Sequence, residues 1–304
     1  MTQATEAGVR HISIDGPYQV YTRKVGHGPI VLLLLHGGPG CTHEYFEVFE
    51  QHLSPDEYTF YYYDQLGSHF SDQPSDASLW NVQRFREEVE QVRAALGLEQ
   101  FYLFGQSWGG LLGLEYALEY PQHIRGLIVS NMTASIASYT EYLGELRAEL
   151  PPEDVALMKR CEATGDYTNL EYQERLTKLY NQHICRVVPW PEPVQRMFEH
   201  LATPVYHTMQ GDNEFVVTGN LGDWDRWADL HHIRVPTLLS VGRFDSMNPA
   251  DIEEMGRRIP RSRVSICENG SHLSLWDDAQ TYFAALKTFL REVEDGSFSA
   301  RQPG

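Results

Sequence analysis

The segment Ile30–Leu35 is six aliphatic residues in a row, and residues 59–64, 100–105 and 126–131 are similar short runs of apolar and aromatic side chains. None shows the alternation that marks a strand with one wet face. Runs of this kind, bounded by turn residues, belong to strands buried on both sides. Helical patterns at 81–96 and 109–120 separate them. That order predicts a mostly parallel sheet flanked by helices, an α/β architecture. Ahead of these runs, residues 11–14 and 18–24 alternate around Asp15-Gly16-Pro17, which predicts a hairpin.

The pattern breaks at about Met132. From 132 to 232 the sequence turns helical, polar and tyrosine-rich, with proline joints at Pro151-Pro152, 189–193 and Pro204. At Val235 the earlier style returns, with a strand at 236–242, a helix at 251–259, a strand at 263–267 and a last helix at 279–293. The expected organisation is one sheet domain, residues 1–131 and 233–304, interrupted by a helical cap at 132–232. A length of 304 residues suits one large domain with such an insertion. The small polar tail at 295–304 is expected to fray.

A formal net charge of −18 argues against nucleic acid as a partner, because phosphate binding needs clustered Lys and Arg. Solubility accounts for the acidic surface. The longest aliphatic run is far short of the ~20 residues that cross a bilayer, and residues 1–10 lack the apolar stretch of a secretory signal. Cys41, Cys161, Cys185 and Cys267 lie far apart, with no CxxC or Cys/His ligand spacing. They read as free thiols. The expectation is a cytoplasmic protein without metal, cofactor or membrane.

Chemistry concentrates at Gly105-Gln106-Ser107-Trp108-Gly109, which follows the strand at 101–104 and opens the helix at 110–120. This is the setting of a G-x-S-x-G nucleophile elbow, in which flanking glycines permit a tight turn that lifts the serine hydroxyl off the sheet. The placement predicts an α/β-hydrolase fold with Ser107 as nucleophile. A serine needs a base and an orienting acid, and in this fold the chain order is Ser, Asp or Glu, then His. Asp245 lies just past the strand at 236–242, and His272 follows the strand at 263–267. Both stand at carboxyl ends of parallel strands, where such sheets place their sites. Position singles His272 out among 13 histidines. The glycine loop His36-Gly37-Gly38-Pro39-Gly40 brings backbone toward the reacting carbonyl, so Gly37 is expected to line the substrate. The N–H groups of Gly38 and Trp108 are expected to form an oxyanion hole. Cys41 is expected to line the site wall without taking part.

These residues resemble the proline iminopeptidase family of α/β hydrolases. The likeness rests on His36-Gly-Gly-Pro-Gly40, Tyr63-Asp64-Gln65-x-Gly67, Gly105-x-Ser107-Trp-Gly109, Val241-Gly-x-x-Asp245 and Gly270-Ser-His272. Within the family it is nearest the tricorn-interacting aminopeptidase type, through Glu171-Tyr-Gln173, Gln182-His183, Asn213-Glu214-Phe215 and Asp223-Trp-Asp225. The resemblance implies release of one residue from the N-terminus of a short peptide or amino-acid amide, with Glu214 holding the substrate's ammonium. Two positions depart from the pattern. Ser246 stands where that type has a second Glu, for which other acids such as Asp223 or Asp225 could substitute, and Leu66 stands where many members have Arg. An esterase or lactonase using the same three residues is the alternative, and a non-catalytic receptor on the same scaffold is a more distant one. The aromatic residues Tyr139, Tyr142, Tyr206, Phe215, Trp224 and Trp227 are candidates either to line the site or to pack the cap.

Overall fold

The computed structural model describes residues 8–300. The expectations for residues 1–7 and for the last four residues of the tail lie outside these. Eight strands form one sheet in the order β1-β2-β4-β3-β5-β6-β7-β8. They are β1 (Val9–Ile14), β2 (Tyr18–Gly26), β3 (Ile30–Leu35), β4 (Tyr58–Asp64), β5 (Phe101–Gln106), β6 (Ile124–Ser130), β7 (Thr237–Gly242) and β8 (Ser262–Cys267). β1 and β2 pair antiparallel around the expected hairpin, β2 pairs antiparallel with β4, and every pairing from β4 through β8 is parallel.

The unbroken apolar runs have the predicted cause. Successive side chains of a strand point to opposite faces. Leu33, Leu35 and Leu103 enter the core shared with the helices Val82–Leu96 and Trp108–Glu119, whereas Leu32, Leu34 and Phe104 enter the one shared with Ala279–Glu294. All six are fully buried. Local signals bound these helices: Asn81 Oδ1 accepts from the Arg84 N–H at 3.0 Å, and Gly97 ends the same helix at φ +70°.

Register decides where chemistry can occur. Leu35 pairs with Gly105, Gln106 with Ser130, and Ser130 with Ser240. The loops after β3, β5, β6, β7 and β8 therefore leave the sheet at one end, side by side.

Between β6 and β7 the chain adds no strand to the sheet. It runs through helices Ile136–Ala148, Pro152–Thr164, Leu170–His183, Glu192–Glu199 and Thr203–Met209, three of which start beside the predicted proline joints at Pro151, Pro191 and Pro204. Backbone bonds stitch this insertion to the strand-end loops, from His272 N to His183 O at 3.0 Å, from Leu273 N to Ile184 O at 2.8 Å and from Ala202 N to Gly40 O at 2.8 Å. Arg196 and His200 also reach the buried carboxylate of Glu44, at 2.5 and 2.7 Å.

One expectation fails. The chain beyond Glu294 stays docked as far as Ser299. Phe298 packs edge-on against Phe289, with ring centres 5.3 Å apart, and Arg263 donates to the Ser299 carbonyl at 3.1 Å. Among the described residues no helix is long and apolar enough to cross a membrane, and all four cysteines are free and buried.

Candidate active site

Ser107 sits between β5 and its following helix at φ +55°, a conformation that a non-glycine residue rarely adopts. The surrounding glycines show why the turn needs them. A Cβ on Gly105 would lie 1.9 Å from Gly109 O, and one on Gly109 would lie 2.0 Å from Leu35 O. Gly109→Ala is therefore expected to cost at least about 1–3 kcal/mol. A lower urea midpoint at constant slope would register that loss; an unchanged midpoint would mean that the elbow yields.

His272 Nδ1 lies 2.8 Å from Asp245 Oδ1. The acid itself is fully buried and held from three sides. Asn131 Nδ2 donates to Asp245 Oδ2 at 2.6 Å, the Met247 N–H donates to Oδ1 at 3.0 Å, and Ser246 Oγ lies 3.5 Å from Oδ1. Asn131 was not foreseen, and it follows β6 directly at φ +56°. An Asn immediately after a buried strand was the available signal, since Asn tolerates that backbone region. Burial pulls the His272 pKa down, but the charge and hydrogen bond of Asp245, together with the Glu214 carboxylate, carry it above its ordinary value. Ser107 and His272 line one cavity, with an empty volume of about 750 Å³. No hydrogen bond joins Ser107 Oγ to His272 Nε2 among the described residues. Such contacts commonly tighten only when substrate binds.

The glycine loop after β3 lies against the elbow through a chain of hydrogen bonds. Gly37 N–H donates to the Tyr45 oxygen at 2.8 Å, Tyr45 O–H donates to Gln106 Oε1 at 2.8 Å, and Gln106 Nε2 donates to His272 O at 2.9 Å. Gly37 lines the cavity with its N–H already committed. The N–H groups of Gly38 and Trp108 donate to nothing among the described residues. Gly38 holds φ +110°, where a Cβ would lie 2.8 Å from the backbone nitrogens of Gly40 and Cys41. Gln65 locks the arrangement: its N–H donates to His36 Nε2 at 3.0 Å, and its Oε1 accepts from Trp108 Nε1 at 2.7 Å. Leu66 is fully buried, and its N–H donates to Glu88 Oε1 at 2.9 Å. Cys41 lines the cavity as expected, and burial pushes its thiol pKa well up, so it stays protonated.

Glu214 reaches the same cavity from the insertion. Its Oε1 stands 3.9 Å from His272 Nε2, with its side chain 15% exposed. Tyr139 Oη lies 2.6 Å from both the carbonyl oxygen and Oε1 of Glu214, while Tyr206 and Ser246 donate more distantly, at 3.4 and 3.5 Å. Burial raises the Glu214 carboxyl above its ordinary pKa, against the lowering effect of His272 and Tyr139. Ser246 therefore sits among all three acid and base groups, 3.4 Å from His272 Nδ1. The suggested substitutes Asp223 and Asp225 are exposed and line neither cavity at Ser107; Asp212 lines one instead. Of the aromatic candidates, Tyr139 and Tyr206 reach the site. Trp224 donates to Glu115 at 2.7 Å and Phe215 packs near Tyr180, both as structure. Tyr180 and Phe198 line the cavity and were not singled out from the sequence. His183 Nδ1 lies 2.9 Å from Phe244 O, which ties the insertion to the loop that carries Asp245.

A family model described as alpha/beta hydrolase fold matches residues 30–279. The proline iminopeptidase of Elizabethkingia meningoseptica is 44% identical over 290 residues, which cover 93% of this chain and 97% of that protein. The proline iminopeptidase of Flavobacterium johnsoniae is 42% identical over 285 residues, 92% of this chain and 96% of that protein. The crystal structure of proline iminopeptidase from Mycobacterium smegmatis superposes with a TM-score of 0.88 at 32% identity, covering 95% of this chain and 99% of that one. With likeness of this order over nine-tenths of its length, the chain belongs to the proline iminopeptidase family of α/β hydrolases.

Proposed function

We propose that this protein is a serine aminopeptidase that needs no cofactor and releases an N-terminal proline or small apolar residue from short peptides or amino-acid amides. The observation that carries this is the Glu214 carboxylate, 3.9 Å from His272 Nε2 in the cavity that Ser107 lines. A carboxylate there has no use for an uncharged ester. It suits the free ammonium of a residue whose carbonyl lies against Ser107, because a partly desolvated ion pair fixes register.

In the proposed course, Asp245 holds His272 with Nε2 free to accept a proton. Ser107 Oγ attacks the first carbonyl carbon as His272 takes its proton. The Gly38 and Trp108 N–H groups hold the oxyanion. His272 then protonates the leaving nitrogen as the C–N bond breaks, and a water activated by the same imidazole releases the amino acid. A second, narrow cavity also reaches Ser107, Gly38 and Glu214, and Leu111, Met132, Ile136, Leu221 and Met247 line it. Its walls are mostly apolar, in keeping with an apolar released residue. Residues 132–232 act as the cap that supplies Glu214 and Tyr206. Four buried free thiols fit a reducing compartment such as the cytoplasm.

Glu214→Gln keeps the shape of the side chain and removes its charge. The expected loss in kcat/KM on L-prolyl anilide is about 2–5 kcal/mol, roughly 30- to 4,000-fold. N-acetylated prolyl anilide should be turned over poorly by the wild type and fall little further in the variant. Equal wild-type turnover of the free and acetylated anilides would overturn the ammonium role.

A further inference from the structure

The two cavities at Ser107 differ in one respect that bears on substrate class. Both have Gly38, Ser107 and Glu214 in their walls, but His272 lines only the larger one. An acyl residue with its carbonyl at Ser107 and its ammonium on Glu214 has two remaining substituents, a side chain and the amine it is joined to. The leaving nitrogen must take its proton from His272. It therefore departs on the His272 side, into the larger cavity.

The larger cavity is built for a particular kind of amine. Ile184, Met197, Phe198, Leu201, Tyr206 and Leu273 give its wall a continuous supply of apolar side chains. Among the described residues no Lys or Arg lines it, so no permanent cation there pairs with the free carboxylate of a dipeptide; the imidazoles in its wall are those of His207 and His272. Asp212 and Glu214 would repel one. The polar atoms of Asn213 are already engaged, since its Nδ2 donates to the Tyr172 oxygen at 2.9 Å and its Oδ1 accepts from Phe215 N at 2.9 Å.

We propose that this cavity is a leaving-group site for bulky apolar amines, so that the preferred substrates join a small N-terminal residue to an aromatic or branched aliphatic amine component without a nearby negative charge. The proposal rests on the aminopeptidase function above and adds what lies beyond the scissile bond. The apolar wall rewards desolvated hydrocarbon, and the absence of a permanent cation penalises an acidic or carboxyl-terminated partner.

Three substrates that share an L-prolyl group separate the terms: prolyl-phenylalanine amide, prolyl-glycine amide and prolyl-aspartate with free carboxylates. The expected kcat/KM for the phenylalanine amide exceeds that for the glycine amide by about 10- to 100-fold, and the aspartate compound is slowest. Phe198→Ala is expected to narrow the first ratio to within about threefold, with Leu201→Ala as a second variant should the first fail to fold. Comparable rates for all three substrates, or faster cleavage of the aspartate compound, would overturn the leaving-group site while leaving the aminopeptidase function standing. Failure to cleave any of the three, together with cleavage of a short-acyl nitrophenyl ester, would overturn both.

Discussion

Ser107→Ala is expected to lower kcat on prolyl anilide by about a million-fold while leaving the protein folded. In the proposed mechanism the side chain carries the chemistry, and it holds little of the structure. Its Oγ bonds to no other group among the described residues, whereas the backbone bonds of the elbow, from Ser107 N to Ser130 O at 2.9 Å and from Gly110 N to Ser107 O at 2.7 Å, do not depend on it. The φ of +55° strains alanine as it strains serine, so the substitution neither relieves nor adds to that cost. The check is paired: progress curves at high enzyme concentration, and a thermal unfolding midpoint within a few degrees of wild type. A fluorophosphonate should label the wild type at Ser107 and leave the variant unlabelled. Residual activity within a hundredfold of wild type would point to another nucleophile. Cys41 is the one thiol in the cavity wall among the described residues, and both its burial and the Glu214 charge oppose the thiolate it would need.

The sheet was legible, and the three central residues could be proposed, because each leaves a local mark. Strands buried on both faces must be apolar at consecutive positions, and β3 and β5 are. A nucleophile elbow must have glycines where Cβ atoms would meet backbone, and Gly105 and Gly109 do. Asp245 and His272 could be chosen from many acids and histidines because strand ends in a parallel sheet converge. Their distances could not be read, but their neighbourhood could.

What escaped depends on packing between segments far apart in sequence. Asn131 and Asp245 are 114 residues apart and meet only because β6 and β7 are neighbours. Ser246 looked like the loss of an anchoring charge. In place it is a hydroxyl set among Glu214, Asp245 and His272, a role with no sequence signature. Asp223 and Asp225 were candidate second anchors by residue type alone. Trp224 turns inward to Glu115, and the acids beside it face solvent. Which face of a cap segment turns inward is set by how the cap seats on the core, and no periodicity in so irregular a stretch reports it.

The surroundings of Asp245 yield the second large prediction. In Asp245→Asn one carboxylate oxygen becomes an NH2 group, and each side of the site already presents donors. Asn131 Nδ2 is fixed by further bonds to Ser271 O and Ser274 Oγ, both at 3.1 Å, and Asn131 Oδ1 is engaged by Ser130 Oγ at 2.6 Å. Asn131 is thus poorly placed to flip, and the new amide must keep its oxygen toward it. The NH2 then faces His272 Nδ1 and drives the imidazole into the tautomer protonated at Nε2, which cannot accept the Ser107 proton. A fall in kcat of about 10⁴-fold is expected, as for the equivalent change in other triad enzymes. Glu214 cannot rescue the rate, since it stands on the Nε2 side. The pH profile provides an independent readout. In the proposed mechanism neutral His272 is the active form, so kcat/KM in the wild type is expected to rise with pH through a pKa above the ordinary 6.5. Asp245, Glu214 and Asp277 all raise that pKa against the lowering effect of burial. Removing the Asp245 charge should therefore move the acid limb to lower pH. Glu214→Gln should move it the same way, without the 10⁴-fold loss on substrates that lack an amine. A drop of less than tenfold in Asp245→Asn, with the limb unmoved, would show that another group orients His272.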